Sequence, residues 1–167
     1  MSMIHIASMK TNSTITALQG QQDVQPNAID LRLKKVFAID SLDVFSIDEE
    51  HKKHRGTVEV HPDQDGFINL VPGHYEVVME NEVMIGEGEA GWVITRSTLN
   101  RNGVFITSGL YDTAYNGVVA GVMHVTVGPM RVKPGTRIAQ FLLFKAEALH
   151  KYDGDYGNGK THDEKYK

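Results

Sequence analysis

The spacing of its apolar runs constrains this chain more than any other feature. FINLV (67–71), HYEVVME (74–80), EVMI (82–85), GWVITR (91–96), GVFITS (103–108), VVAGVMHVTV (118–127) and TRIAQFLLF (136–144) follow one another. The clusters VPGH, LNRNG, YNG, VGPM and KPGT punctuate them, and such Gly, Pro and Asn groups are turn chemistry. Upstream, Ile29, Leu31 and Leu33 alternate with Asp30 and Arg32, which is strand period. Many short strands with regular turns predict an all-β sandwich, jelly roll or barrel. STITALQGQQ (13–22) predicts a short N-terminal helix, and the charged stretch 40–65, with DEEHKKHRG inside it, predicts an exposed loop or edge hairpin. The expected division is a β domain over 1–150 and a polar, glycine-rich, mobile tail over 151–167.

Composition narrows the function. The 167 residues fit one domain with a proper core. A net charge of -4 provides no global field for nucleic acid or anionic lipid, so neither is an expected partner. The absence of cysteine excludes disulfides, thiol nucleophiles and thiolate metal sites. No apolar run reaches the length of a membrane span, and MSMIHIASMKTNS lacks a signal-peptide core, so a cytoplasmic location is expected.

Several motifs weaken on inspection. GDYGNGKT (154–161) satisfies the P-loop pattern, yet only HDEKYK follows, and a P-loop needs a helix whose N-terminus cradles phosphate. Flexible glycines with Lys160 can still close over a phosphate through backbone N–H groups, beside the plainer reading of a solvated tail. The eight histidines form no H-E-x-x-H, and no serine sits in G-x-S-x-G. No metal held directly by side chains is expected.

What remains is residues 95–117. Arg96-Ser97-Thr98-Leu99-Asn100-Arg101-Asn102-Gly103 precedes GLYDTAYNG, Gly109 to Gly117. Compact donors such as Arg96, Ser97 and Thr98 suit a polyanionic phosphate chain, while an extended hairpin offers backbone groups to a pyrimidine edge. Tyr115 presents a flat face for a sugar, and Asp112 is an acceptor that can orient or activate water. The two runs resemble the core motifs of the dUTPase and dCTP deaminase superfamily, with dUTPase-like spacing. QPNAIDLRL (25–33) resembles the first motif in its deaminase-like form, and KPGTRIAQFLLF (133–144) the fourth, with Gln140 at its glutamine.

The resemblance implies a trimeric, distorted jelly roll or β-clip, with active sites between subunits and a C-terminal tail closing over them. It implies hydrolysis of dUTP to dUMP and pyrophosphate, with Mg²⁺ carried mainly by the substrate triphosphate. The implied catalytic residue is Asp112. The implied substrate-binding residues are Arg96, Ser97, Thr98, Arg101, Gly109, Leu110, Tyr111, Tyr115, Gln140, Tyr152, Tyr156 and Lys160. Deaminating relatives carry a glutamate ten residues beyond the aspartate, where this chain has Val122, and valine cannot shuttle protons.

Departures from the dUTPase pattern include Asn116 and Val118 in the hairpin, and a tail, YDGDYGNGK, that resembles the deaminase closing segment with Asp155 where lysine is usual. Such mosaics resemble viral members. A dCTP-acting member and a non-catalytic nucleotide sensor are the competing readings. A structural jelly roll would leave the four motifs unexplained. The insert over 46–66 is the expected site of any protein partner.

Overall fold

The computed structural model describes residues 2–167. Its strands are β1 (Ser2–Ile4), β2 (Thr14–Ile15), β3 (Ile29–Ile39), β4 (Ser46–Ile47), β5 (Lys52–Lys53), β6 (Thr57–Glu59) and β7 (Ile68–Leu70). There follow β8 (Gly73–Met84), β9 (Glu89–Thr95), β10 (Val104–Thr107), β11 (Asn116–Val125), β12 (Met130–Val132) and β13 (Arg137–Lys145). One four-residue helix, α1 (Ser97–Asn100), caps the β9–β10 connection. Among the described residues no helix is long and apolar enough to cross a membrane.

The fold turns on β3. Its first half pairs antiparallel with β13, Ile29 opposite Phe141 and Leu31 opposite Ala139. Its second half pairs with β8, Val36 opposite Val77 and Ala38 opposite Tyr75. The register shifts between Leu33 and Lys35, so the strand bends there and passes from one layer to the other. One layer holds β1, β13, β9 and the start of β3; the other holds the rest of β3 with β6, β8, β2, β11 and β10. Between them lie Leu31, Val77, Met79, Val93, Met123 and Phe141, all buried. Gly91 is obligatory in this packing, because a Cβ there would overlap the Phe141 ring.

HYEVVME and EVMI, which read as two strands, are one. Asn81 sits between them and is fully buried, a position where a polar residue suggests a break. Its amide accounts for it: Oδ1 accepts from the Arg32 N–H at 3.1 Å and Nδ2 donates to the Thr16 carbonyl at 2.9 Å. It thereby satisfies one backbone group on β3 and one just beyond β2.

The helix expected over 13–22 is absent. Thr14–Ile15 extends along β8, and only Gln21–Asp23 forms a 3-10 turn. The β-branched run Thr14-Ile15-Thr16 favours extension, and Ala17 adopts a left-handed φ of 57° that no helix continues through. The charged stretch behaves as expected: β4 and β5 form a small exposed hairpin, and β6 adds to the edge of β3.

Residues 151–167 lie against their own chain. Tyr152 N–H bonds the Thr113 carbonyl at 2.9 Å, and Gly157 is buried with its Cα against the Tyr115 side. The 3-10 segment Thr161–Tyr166 buries Tyr166 with Phe37 and Val78, on the face of the β3–β8 layer turned away from the main core. Glu76 accepts from the Tyr166 hydroxyl and, at 2.7 Å, from Lys165 Nζ. The β4–β5 hairpin reaches the same segment through a Lys52–Asp155 ion pair and through His54, whose ring lies 5.0 Å from that of His162.

Candidate active site

The hairpin that carries Asp112 is pinned by main-chain bonds. Tyr111 exchanges two N–H···O bonds of 2.8 Å with Gly91, and Thr113 Oγ1 donates to the Glu89 carbonyl at 2.8 Å. Ala114 N–H bonds Ile85 O at 3.0 Å, and Ile85 N–H returns to Tyr115 O at 2.9 Å. The turn closes through Tyr115 N–H to Asp112 O at 3.0 Å, with Ala114 at φ 70°. That left-handed alanine costs on the order of 1 kcal/mol, which the bonds on either side offset.

Tyr111 and Tyr115 line one cleft beside the hairpin, and Asp112 lines the other. Both rings are buried, at 7 and 5% exposure, and meet edge to face with centroids 5.1 Å apart. The Tyr111 hydroxyl donates to Ala120 O at 2.8 Å and accepts from Ala120 N at 3.0 Å; that of Tyr115 donates to Val118 O at 2.7 Å. Burial pushes both phenols up, so they remain neutral.

Two clefts flank the hairpin. The first, about 390 Å³, is walled by Gly109, Leu110, Tyr115, Val122, Tyr152 and Tyr156, and is mostly apolar. Its two acids are engaged: Glu76 by Lys165 and Tyr166, Asp163 by the Gly157 N–H at 2.7 Å. Phe45, just before the insert, and His54 and Arg55 within it also reach this cleft. Burial first, then the charges of Lys165 and His54, hold the His162 imidazole below its ordinary pKa.

The second cleft, about 500 Å³, contains Asp112 and Thr113 with Tyr152 and Asp153 opposite. Asp112 is exposed there, as are Glu147 and Asp153, while the fourth acid at its wall, Glu89, is fully buried. Burial pushes the Glu89 carboxyl up, but Lys145 at 2.6 Å, Ser13 Oγ at 2.6 Å and Thr11 Oγ1 at 2.5 Å outweigh it and hold the group at about 2. Glu89 is thus a fixed anion under the hairpin, and Asp112 is the acid that the hairpin itself holds open to solvent, with Asp153, 3.5 Å from Lys160, and Glu147 on the chain that follows β13.

The remaining expected site residues gather at the other end of β9. Asp30 is fully buried and receives Gln140 Nε2 at 2.9 Å, Arg137 Nη1 at 3.2 Å and Gln25 Nε2 at 3.3 Å, with Arg96 Nε at 3.4 Å. Arg96 also donates to the Arg137 carbonyl at 3.1 Å, leaving part of its guanidinium facing outward. Ser97, Thr98 and Arg101 follow on the exposed α1 turn.

Tyr111 pairs with Gly91, whereas Arg96 follows Thr95. Those positions are five residues apart along the chain, roughly 16 Å at strand rise. One chain therefore brings together Gly109, Leu110, Tyr111, Asp112, Tyr115, Tyr152 and Tyr156, and separately Arg96, Ser97, Thr98, Arg101 and Gln140. Lys160 lies with the first group, exposed, 3.5 Å from Asp153. Glu76, His162, Tyr166 and Glu89 were not expected near the site; the polar Glu76 within HYEVVME, level with Val122 on β11, was the available signal.

A family model described as dCTP deaminase-like matches residues 4–146. The probable deoxyuridine 5'-triphosphate nucleotidohydrolase of Methanosarcina barkeri is 31% identical over 149 residues, covering 87% of this chain and 86% of that one. The deoxyuridine 5'-triphosphate nucleotidohydrolase of Methanocaldococcus jannaschii is 30% identical over 138 residues, covering 81 and 88%. Among solved structures, the 2'-deoxycytidine 5'-triphosphate deaminase of Agrobacterium tumefaciens shares the fold, with a TM-score of 0.58 at 17% identity over 78% of this chain. This chain spans 43% of that deaminase's length. By its matched span, its four ordered motifs and its two-layer β fold, the chain belongs to the dCTP deaminase-like family of the dUTPase and dCTP deaminase superfamily.

Proposed function

We propose that this protein hydrolyses dUTP to dUMP and pyrophosphate, in an oligomer whose sites join the hairpin end of one copy to the Arg96 end of another. The observation that carries the reading is the exposed Asp112 on a pinned hairpin, in a chain about 30% identical to proteins named as dUTP nucleotidohydrolases. Asp112 takes a proton from a water molecule, which attacks the α-phosphorus. The bond from that phosphorus to the bridging oxygen breaks, and pyrophosphate leaves. Arg96 from the second copy, with Ser97 and Thr98, binds phosphate oxygens. Backbone groups of Gly109 and Leu110 face the base, and the tail residues Tyr152, Tyr156 and Lys160 cover the nucleotide and exclude water.

The donor set fits a Mg²⁺ ion brought by the triphosphate. Asp30 and Glu89 are already saturated, and among the described residues no three acids or histidines cluster as a metal cage. When bound, the ion would neutralise charge on the phosphate chain.

Deamination is disfavoured by an observation in the first cleft: its wall has Val122, and both its acids are committed to tail contacts. Incubation with Mg²⁺ and each of dUTP, dCTP, dTTP and UTP, followed by ion-exchange chromatography, tests the proposal. The expected products are dUMP and pyrophosphate from dUTP, lost in Asp112→Asn. Formation of dCMP would change the base. Formation of dUTP or dUMP from dCTP would overturn the argument from Val122, and tight binding without turnover would establish a sensor.

A further inference from the structure

His74 on β8 and His124 on β11 are direct cross-strand partners, and Phe105 on β10 stands on the other side of His124. Their rings converge. Nδ1 of His74 lies 2.9 Å from Nδ1 of His124, with ring centroids 5.0 Å apart. The second nitrogen of His124, Nε2, lies 2.9 Å from Thr107 Oγ1. With that hydroxyl oxygen accepting the Nε2 proton, the His124 Nδ1 carries a lone pair, aimed at its neighbour.

From this arrangement we propose that His74 and His124 form a two-histidine site for a borderline transition-metal cation of the Zn²⁺ class, with water completing the coordination. The proposal is independent of the hydrolase reading. Two Zn–N bonds of about 2.0–2.1 Å at a tetrahedral angle put the nitrogens about 3.3 Å apart. Ring rotations that open the present 2.9 Å by a few tenths of an ångström therefore admit the ion.

Imidazole nitrogen suits Zn²⁺, Cu²⁺ and Ni²⁺ rather than Mg²⁺, so the site would not compete for the ion that a triphosphate brings. Thr107 does for His124 what acceptors behind metal-bound histidines generally do, fixing tautomer and ring orientation. Burial, and then the neighbouring His74, hold the His124 imidazole below its ordinary pKa, which keeps the ligand neutral near pH 7. The charged groups next along the same strand face are spoken for, since Glu76 is held by Lys165 and Tyr166. Thr107 ends the strand that enters the hairpin at Ser108, so an ion here would brace the base of the Asp112 hairpin.

The test is calorimetric titration of the chelator-treated full chain with Zn²⁺ at pH 7.5. One equivalent is expected, weakening as pH falls through the imidazole range. His74→Asn/His124→Asn should abolish it, whereas His51→Asn/His61→Asn, at exposed histidines beside Asp48 and Glu59, should keep it. Thr107→Val leaves both ligands and should cost roughly tenfold in affinity. Should the double variant fail to fold, proton spectra of the wild type decide: Zn²⁺ must shift the ring signals of two histidines before the other six. Uptake unchanged in the double variant, or no histidine pair shifted first, would overturn the proposal.

Discussion

The two ends of β9 carry the same kind of residue to opposite purposes. At the Thr95 end, Asp30 is buried with no exposed surface and spends its oxygens on Gln25, Arg96, Arg137 and Gln140. At the Glu89 end, Asp112 is exposed, and its hairpin is held by backbone bonds and by Thr113, with no demand on the carboxylate. A buried acid with many donors is architecture, and an open acid on a rigid turn is available for chemistry. The difference follows from where each strand residue points, and it makes one substitution, aspartate to asparagine, a different experiment at each end.

The largest effect should come from Asp112→Asn. It should cost about 10²- to 10⁴-fold in kcat, with thermal stability within about 0.5 kcal/mol of wild type. Steady-state kinetics beside a thermal melt separates the two quantities; a variant that melts early would erase the contrast. Asp30→Asn should do the reverse in stability, losing about 3 kcal/mol because Arg96 and Arg137 are left with a neutral partner. Denaturant unfolding measures it, and an unchanged midpoint would mean the buried ion pairs contribute little.

Glu89 sharpens the comparison through pH. Its folded pKa of about 2 lies below the ordinary 4.5, so its contribution is present above pH 4.5 and drains away as pH falls towards 2. The full linkage amounts to about 3 kcal/mol, an upper figure because Lys145 is 45% exposed and water screens the pair. Wild type should lose melting temperature over that acid window, and Glu89→Gln should lose less. The smallest effect belongs to the tail. Tyr166→Phe removes one bond to Glu76, worth about 1 kcal/mol. It should raise KM for the nucleotide more than it lowers kcat if the tail closes over substrate; an unchanged KM would detach the tail from the site.

The succession of strands was legible because turn clusters separate the apolar runs, whereas the pairing order, in which β3, β8 and β11 are neighbours, was not. Alternation of Ile29, Leu31 and Leu33 also marked β3 correctly. What misled was local chemistry with a tertiary cause. Asn81 looked like a break and is a buried bridge between β3 and the segment after β2; STITALQGQQ looked helical, and its Thr14–Ile15 pairs with β8. The hairpin's polar residues were legible as a candidate site, but their orientations were not. Sequence does not reveal that Tyr115 lies under Gly157, or that Glu76 serves the tail. Nor does it reveal that Arg96 and Asp112 stand at opposite ends of one strand, since that depends on the pairing of Gly91 with Tyr111.

That separation is the centre of the account, and subunit mixing tests it most directly. Arg96→Ala and Asp112→Asn, each inactive alone, are unfolded together, refolded at equal ratio and assayed for dUMP release. Sites drawn from two copies should regain about one quarter of wild-type activity, the random share of interfaces that pair an intact Arg96 with an intact Asp112. No recovery from a mixture that has refolded and reassembled would mean that each chain completes its own site, and would contradict the account.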